Sequence, residues 1–133
     1  MSILITKYGT HAGTVWQTLN TNGELNEERL RTLTHLHDED LQAAIGWLAR
    51  ENKIRQQPHG YSIGDTNLVP TIGRNAGMVW RALDIWGDIS AHSLLRLVRL
   101  PEKDFYAAIG WLAREGKLEA ALDPNNALVF RLT

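Results

Sequence analysis

The chain has 133 residues, 44% of them hydrophobic and 22% charged, a composition that excludes a disordered or fibrous protein. Fourteen Lys and Arg against fifteen Asp and Glu leave a formal charge of -1, so no overall field draws the chain to phosphate, and the lack of Cys removes disulfides, Cys-ligated zinc and thiol chemistry. No apolar run approaches the ~18 residues that cross a bilayer, and Met1 to Tyr8 lack the basic start and long apolar core of a signal peptide; a cytoplasmic protein with no membrane partner is expected.

The nine residues Ala43-Ala44-Ile45-Gly46-Trp47-Leu48-Ala49-Arg50-Glu51 return unchanged at Ala107 to Glu115. Shifted by 64 residues, Gly9 to Ile54 and Gly73 to Leu118 share 21 of 46 positions. Each copy must then be one supersecondary unit, and at roughly 60 residues each lies near the lower limit of independent stability. Two small domains are expected, 1–64 and 65–133, with a linker at about 64–70.

Taken in order, Ser2 to Thr6 reads as a short strand or extended arm, matched by Asn67 to Thr71, where Pro70 argues for an edge or linker. A first helix is predicted from about Thr10 to Asn20 and from Arg74 to Ile85. Its stripes, Ala12, Val15, Trp16, Leu19 and Ala76, Val79, Trp80, Leu83, fall at i, i+3, i+4, i+7, so both Trp are read as core. Gly23 and Gly87 end that helix, Leu25 and Ile89 give a one-rung strand, and Asn26 and Ser90 cap a second helix with Leu30, Leu33 and Leu94, Leu97 inward. The third helix carries the nonapeptide. Asp38 is read as the cap of the first, Pro101 as part of the first turn of the second, and Asn52 and Gly116 as their ends. Hairpins follow, Lys53 to Gln57 with Tyr61 to Ile63, and Lys117 to Leu122 with Ala127 to Leu132.

The order helix, short strand, helix, helix, strand, strand is that of a winged helix-turn-helix, an α+β and mainly helical class. The motifs Ala-Gly-x-Val-Trp-x-x-Leu, Gly-(Glu/Asp)-(Leu/Ile) and Ala-Ile-Gly-Trp-Leu-Ala-Arg-Glu-x-Lys-(Ile/Leu) resemble a bacterial family of small winged helix-turn-helix domains of unknown function. Members usually carry one copy, some as homodimers, so the resemblance implies a covalently linked pseudo-dimer.

In the wider class the third helix enters the major groove. With Leu41 at the core centre, Gln42, Ala43, Gly46, Trp47 and Arg50 face outward or flank, as do Tyr106, Ala107, Gly110, Trp111 and Arg114. These are poor readers of base edges, the first turns carry Asp38, Glu39, Asp40 and Glu102, Asp104, and the wing tips carry no Arg or Lys. The strips Ala43/Gly46/Trp47/Arg50 and Ala107/Gly110/Trp111/Arg114 suit protein contact. Two arrangements stay open: the strips pack on each other about a pseudo-twofold axis, or the Trp rings cover the wings of their own domains. Trp86, Leu95 and Val98 replace Asn22, Arg31 and Thr34, which suggests an extra buried face on copy two, against copy one or a partner chain, with a wider core of copy two itself as the alternative.

Arg96, Arg99, Lys103 and Arg55 are the nucleic-acid candidates. His35 and His37 straddle a helix end with Arg99 and Pro101 as counterparts, and are read as a surface pair rather than a metal site. No nucleophile and base pair, phosphate loop or acidic dyad stands out, so no catalytic residue, cofactor, metal or small-molecule substrate is expected. The sequence thus reads as a non-enzymatic regulatory binding module with a protein partner or self-association through the third helices, and DNA as a further association. The alternative is a direct DNA-binding transcriptional regulator using the peripheral basic residues.

Overall fold

Two successive runs of helix, helix, helix and hairpin make up residues 3–133, those that the computed structural model describes. The first comprises α1 (Ile3–Asn22), α2 (Glu27–Thr34), α3 (Asp38–Arg50), β1 (Ile54–Gln57) and β2 (Gly60–Ile63). The second comprises a π-helical turn (Val69–Gly73) running into α4 (Arg74–Trp86), then β3 (Ile89–Ser90), α5 (Ala91–Val98), α6 (Glu102–Arg114), β4 (Leu118–Leu122) and β5 (Leu128–Leu132). The molecule is mainly helical, with two small antiparallel sheets.

Local chemistry sets the breaks. Gly23 and Gly87 sit at φ 79° and 71°, a conformation that costs a residue without Cβ little, and they close α1 and α4. Asn26 accepts the amide of Arg29 and Ser90 that of Ser93, capping α2 and α5. Asn52 and Gly116 take left-handed φ just past α3 and α6. Leu25 exchanges both backbone hydrogen bonds with Tyr61, and the equivalent Ile89 pairs with Phe130 to give a three-stranded sheet in the order β3-β5-β4.

Several sequence expectations are corrected. Met1 and Ser2 lie outside the described residues, but Ile3 to Thr6 are helical, because α1 begins two turns earlier than its Ala12-to-Leu19 stripe requires. The expected strand at Asn67 to Thr71 is instead the approach to the π-helical turn, with Pro70 in its first turn and the Gly73 amide reaching five residues back to Leu68. Trp16 is only half-buried and Trp80 is 39% exposed, since Ala, Val and Leu of the same stripe already fill the narrow core. Leu33 and Leu97 are also exposed, because α2 and α5 have eight residues each and bury one face only, centred on Leu30 and Leu94. Asp38 does not cap α3; His37 holds that position without a side-chain bond, and Asp38 pairs with Arg31. Pro101 sits one residue before α6 rather than inside it.

The cores are not confined to one repeat each. Ile5 and Tyr8 at the start of α1 are buried with Val79, Leu83, Phe105, Ile109, Leu118 and Phe130 of the second repeat. Reciprocally, Leu68 and Ile72 are buried with Val15, Leu19, Leu41, Ile45 and Ile54 of the first. Tyr8 and Ile72 are equivalent under the 64-residue shift, as are Leu4, which packs on the first of these clusters, and Leu68. Each repeat therefore lends the other an N-terminal arm.

Because Ile5 is fully buried in the second repeat's cluster, Ile5→Ala should cost about 2–5 kcal/mol, and the loss should fall on the second repeat. Amide exchange measured at Leu118 to Ala120 is expected to accelerate along with that of α1; an increase limited to the first repeat would contradict the arm exchange.

Candidate functional site

The densest helix contact in the chain joins α3 to α6, one from each repeat. It exists because the sequence puts Ala, Gly and Ala where larger side chains would hold two helices apart. Gly46 faces the backbone of Ala107 so closely that a Cβ there would overlap its carbonyl oxygen, and Gly110 meets the carbonyl of Ala43 in the same way. Ala43 and Ala107 are buried, as is Gln42, although all three point away from the core of their own repeat. Burial against the other copy is the physical reason that the outward assignment, correct for one repeat alone, does not give a solvent-facing surface.

The indoles complete the seam. Trp47 lies over Gly9, where a Cβ would come within 2.8 Å of its ring, and Trp111 lies over Gly73 with a corresponding 3.2 Å. Each half-buried ring packs on both hydrophobic clusters, and the glycine beneath it belongs to its own repeat. At the helix ends Arg50 Nε donates to Glu115 at 3.1 Å and Arg114 Nε donates to Glu51 at 3.0 Å, a pair related by the same 64-residue shift. Arg50 also sits 5.9 Å from the centre of the Trp111 ring. Such partly exposed ion pairs contribute at most about 1 kcal/mol each, so they fix register more than they add stability.

Beside the seam a depression of about 350 Å³ is lined by Glu27, Arg31, Asp38, Glu39, Gln42, Glu102, Lys103 and Tyr106. Here Glu27 Oε1 accepts from Lys103 Nζ at 2.9 Å and from the Tyr61 hydroxyl at 3.2 Å. Burial alone would raise the Glu27 carboxyl, but the hydrogen bond and charge of Lys103, with hydrogen bonds from Gln42 and Tyr61, hold it below its ordinary value. Burial next to Glu39 and Glu102 pushes the Tyr106 hydroxyl up to about 12, and burial beside Glu27 raises that of Tyr61 further. The depression therefore sets the Tyr106 phenol beside a Glu27 carboxylate paired with Lys103.

The remaining sequence candidates are dispersed. Lys103 is turned onto Glu27 of the other repeat, and Arg55 Nη1 donates to the Asp65 carbonyl at 3.4 Å. Arg96 and Arg99 are exposed on α5 and just after it. Leu95 and Val98 pack on the second repeat's own core, while Trp86 is 61% exposed. Sequence reasoning missed Glu51, Glu115, Gly9 and Gly73, although the first two close the duplicated nonapeptide and the last two open the 46-residue match.

The model of one family, the winged helix-turn-helix domain DUF2582, matches residues 5–63 and again 66–132. The chain belongs to this winged helix-turn-helix family. It carries two tandem copies, and the two matches divide it between β2 and the π-helical turn. Among solved structures this DUF2582 chain is similar to a conserved hypothetical protein from Chlorobium tepidum, with 14% identity, a TM-score of 0.40, and coverage of 96% of this chain and 93% of that one. No curated protein matches the sequence.

Two outcomes test this geometry. Gly46→Val forces α3 off α6 against backbone that cannot yield, so it should destabilise by at least about 3 kcal/mol, whereas the solvent-open Gly13→Ala should not; urea melts of both decide. Because the Glu27 carboxyl is lowered on folding, its contribution is present above the unfolded value of about 4.3 and is lost as pH falls through the folded one. Lys103→Met should flatten that acid limb in melts at successive pH values.

Proposed function

We propose that this tandem winged-helix chain is a non-enzymatic regulatory binding module that acts through protein contacts rather than by placing a recognition helix in DNA. One observation carries the reading: the faces of α3 and α6 that a winged helix would lay into the major groove are buried against each other. A duplex would have to separate the repeats, breaking the Gly46 and Gly110 contacts and withdrawing two arms from two cores. Acidic first turns on both helices and wing tips without Arg or Lys support the same conclusion. The third helices thus join the chain to itself, and an outside partner must use another surface.

The second reading, DNA contact by peripheral basic residues, is favoured by the exposure of Arg96 and Arg99. It predicts binding whose logarithm falls linearly with the logarithm of salt concentration. For the protein-contact reading, anisotropy of a labelled mixed-sequence duplex at about 50 mM salt should show no salt-sensitive binding. Salt-sensitive binding that is lost in Arg96→Ala/Arg99→Ala would establish the DNA reading instead.

A further inference from the structure

The repeats share a backbone plan but differ sharply on one face. In the second repeat α4 and α5 flank a shallow, open trough of about 320 Å³ lined by Met78, Arg81, Ala82, Ile85, Trp86, Leu97 and Val98. Ile85 is 69% exposed, and Met78 and Leu97 are exposed as well. At the equivalent places in the first repeat stand Thr14, Gln17, Thr18, Thr21, Asn22, Leu33 and Thr34. The polar version shows what the fold needs there: the first repeat buries its Val15, Leu19 and Leu30 with threonines on this face. Val98 and Ala82 also pack on the second repeat's core, but its folding does not account for the exposed Met78, Ile85 and Trp86. Leaving a Trp, an Ile, a Met and a Leu together in water is unfavourable, and such grouping on one face marks a contact surface.

Charge and shape select the occupant. The ionisable residue in the trough is Arg81, and Arg96 flanks Leu97 in the adjoining depression with Ser93; no carboxylate lines either. A second copy of this chain seated face to face would bring basic rims together around a desolvated centre, which is repulsive. Ala82 and Val98 are half-buried between the two helices at the floor of the trough, a shape that the side chains of a partner helix fill more closely than a lipid surface does. An amphipathic helix with its apolar side chains at i, i+3, i+4 and i+7 and carboxylates beside them satisfies both the trough and its rim.

We propose that the α4–α5 trough of the second repeat is the docking site for an acidic amphipathic helix of a partner protein, anchored on Trp86 and Ile85 and flanked by Arg81 and Arg96. This rests on the protein-contact reading above and gives it a surface. The two fail separately, since the duplex titration scores that reading and a peptide titration scores the trough.

The probes are two synthetic helical peptides with the same Leu stripe, one flanked by Glu and one by Lys, titrated into the isotopically labelled full chain and followed by amide shifts. The Glu peptide should move amides of α4 and α5 and not those of α1 and α2, and should bind at least about tenfold more tightly than the Lys peptide. The combined variant Met78→Thr, Ala82→Thr, Ile85→Thr and Trp86→Asn installs the residues that the first repeat carries there. It should keep the thermal transition and lose the binding, and Trp86→Asn alone should weaken binding in the same direction. Equal binding of both peptides, shifts elsewhere, or affinity unchanged in both variants would overturn the proposal. So would a concentration-dependent dimer, or adsorption to phosphatidylglycerol vesicles, that the combined variant abolishes.

Discussion

Everything in this molecule follows from how closely two backbones approach. At Gly46 and Gly110 the third helices meet with no side chain between them, each glycine against the carbonyl of an alanine in the other repeat. Helices normally pack 8–10 Å apart because side chains intervene. Removing them increases dispersion contact, which is individually small and collectively large, and makes the fit intolerant of any added atom. The indoles of Trp47 and Trp111 lie over Gly9 and Gly73 of their own repeats beside this seam, and the Arg50–Glu115 and Arg114–Glu51 pairs join the C-terminal ends of the two helices.

That approach explains the exchange of arms. With α3 and α6 in contact, the start of α1 lies within reach of the second repeat's core, and the turn before α4 lies within reach of the first's. Units of roughly 60 residues bury a smaller fraction of their surface than larger domains do and are marginal alone. Ile5, Tyr8, Leu68 and Ile72 enlarge each core with residues from the other, so the two winged-helix units support one another.

It also covers the face that a DNA-reading winged helix presents to the groove. A recognition helix must be free on one face, and here that face is spent internally on both helices. The asymmetry between repeats then gains meaning, because the seam is almost residue for residue the same in both copies, whereas the α1–α2 face carries Thr and Asn where the α4–α5 face carries Met, Ile and Trp. The two copies are alike where they share a packing constraint and differ on a face that points outward.

The sequence by itself determined the doubling, the order of elements and most of their breaks, since Gly23, Gly87, Asn26, Ser90, Asn52 and Gly116 act through local backbone and hydrogen-bond preferences. It also marked Ala43, Gly46, Trp47 and their counterparts as unusual, because small residues beside an indole are legible as a pattern. Tertiary structure alone decided what they touch. Helical periodicity reports which way a side chain points from its own axis, and says nothing of a second axis brought alongside. For the same reason Leu33 and Leu97 read as core and proved exposed, and Ile5 read as part of a short strand or extended arm and proved to lie on a helical arm in the other repeat: burial is a property of the assembled chain.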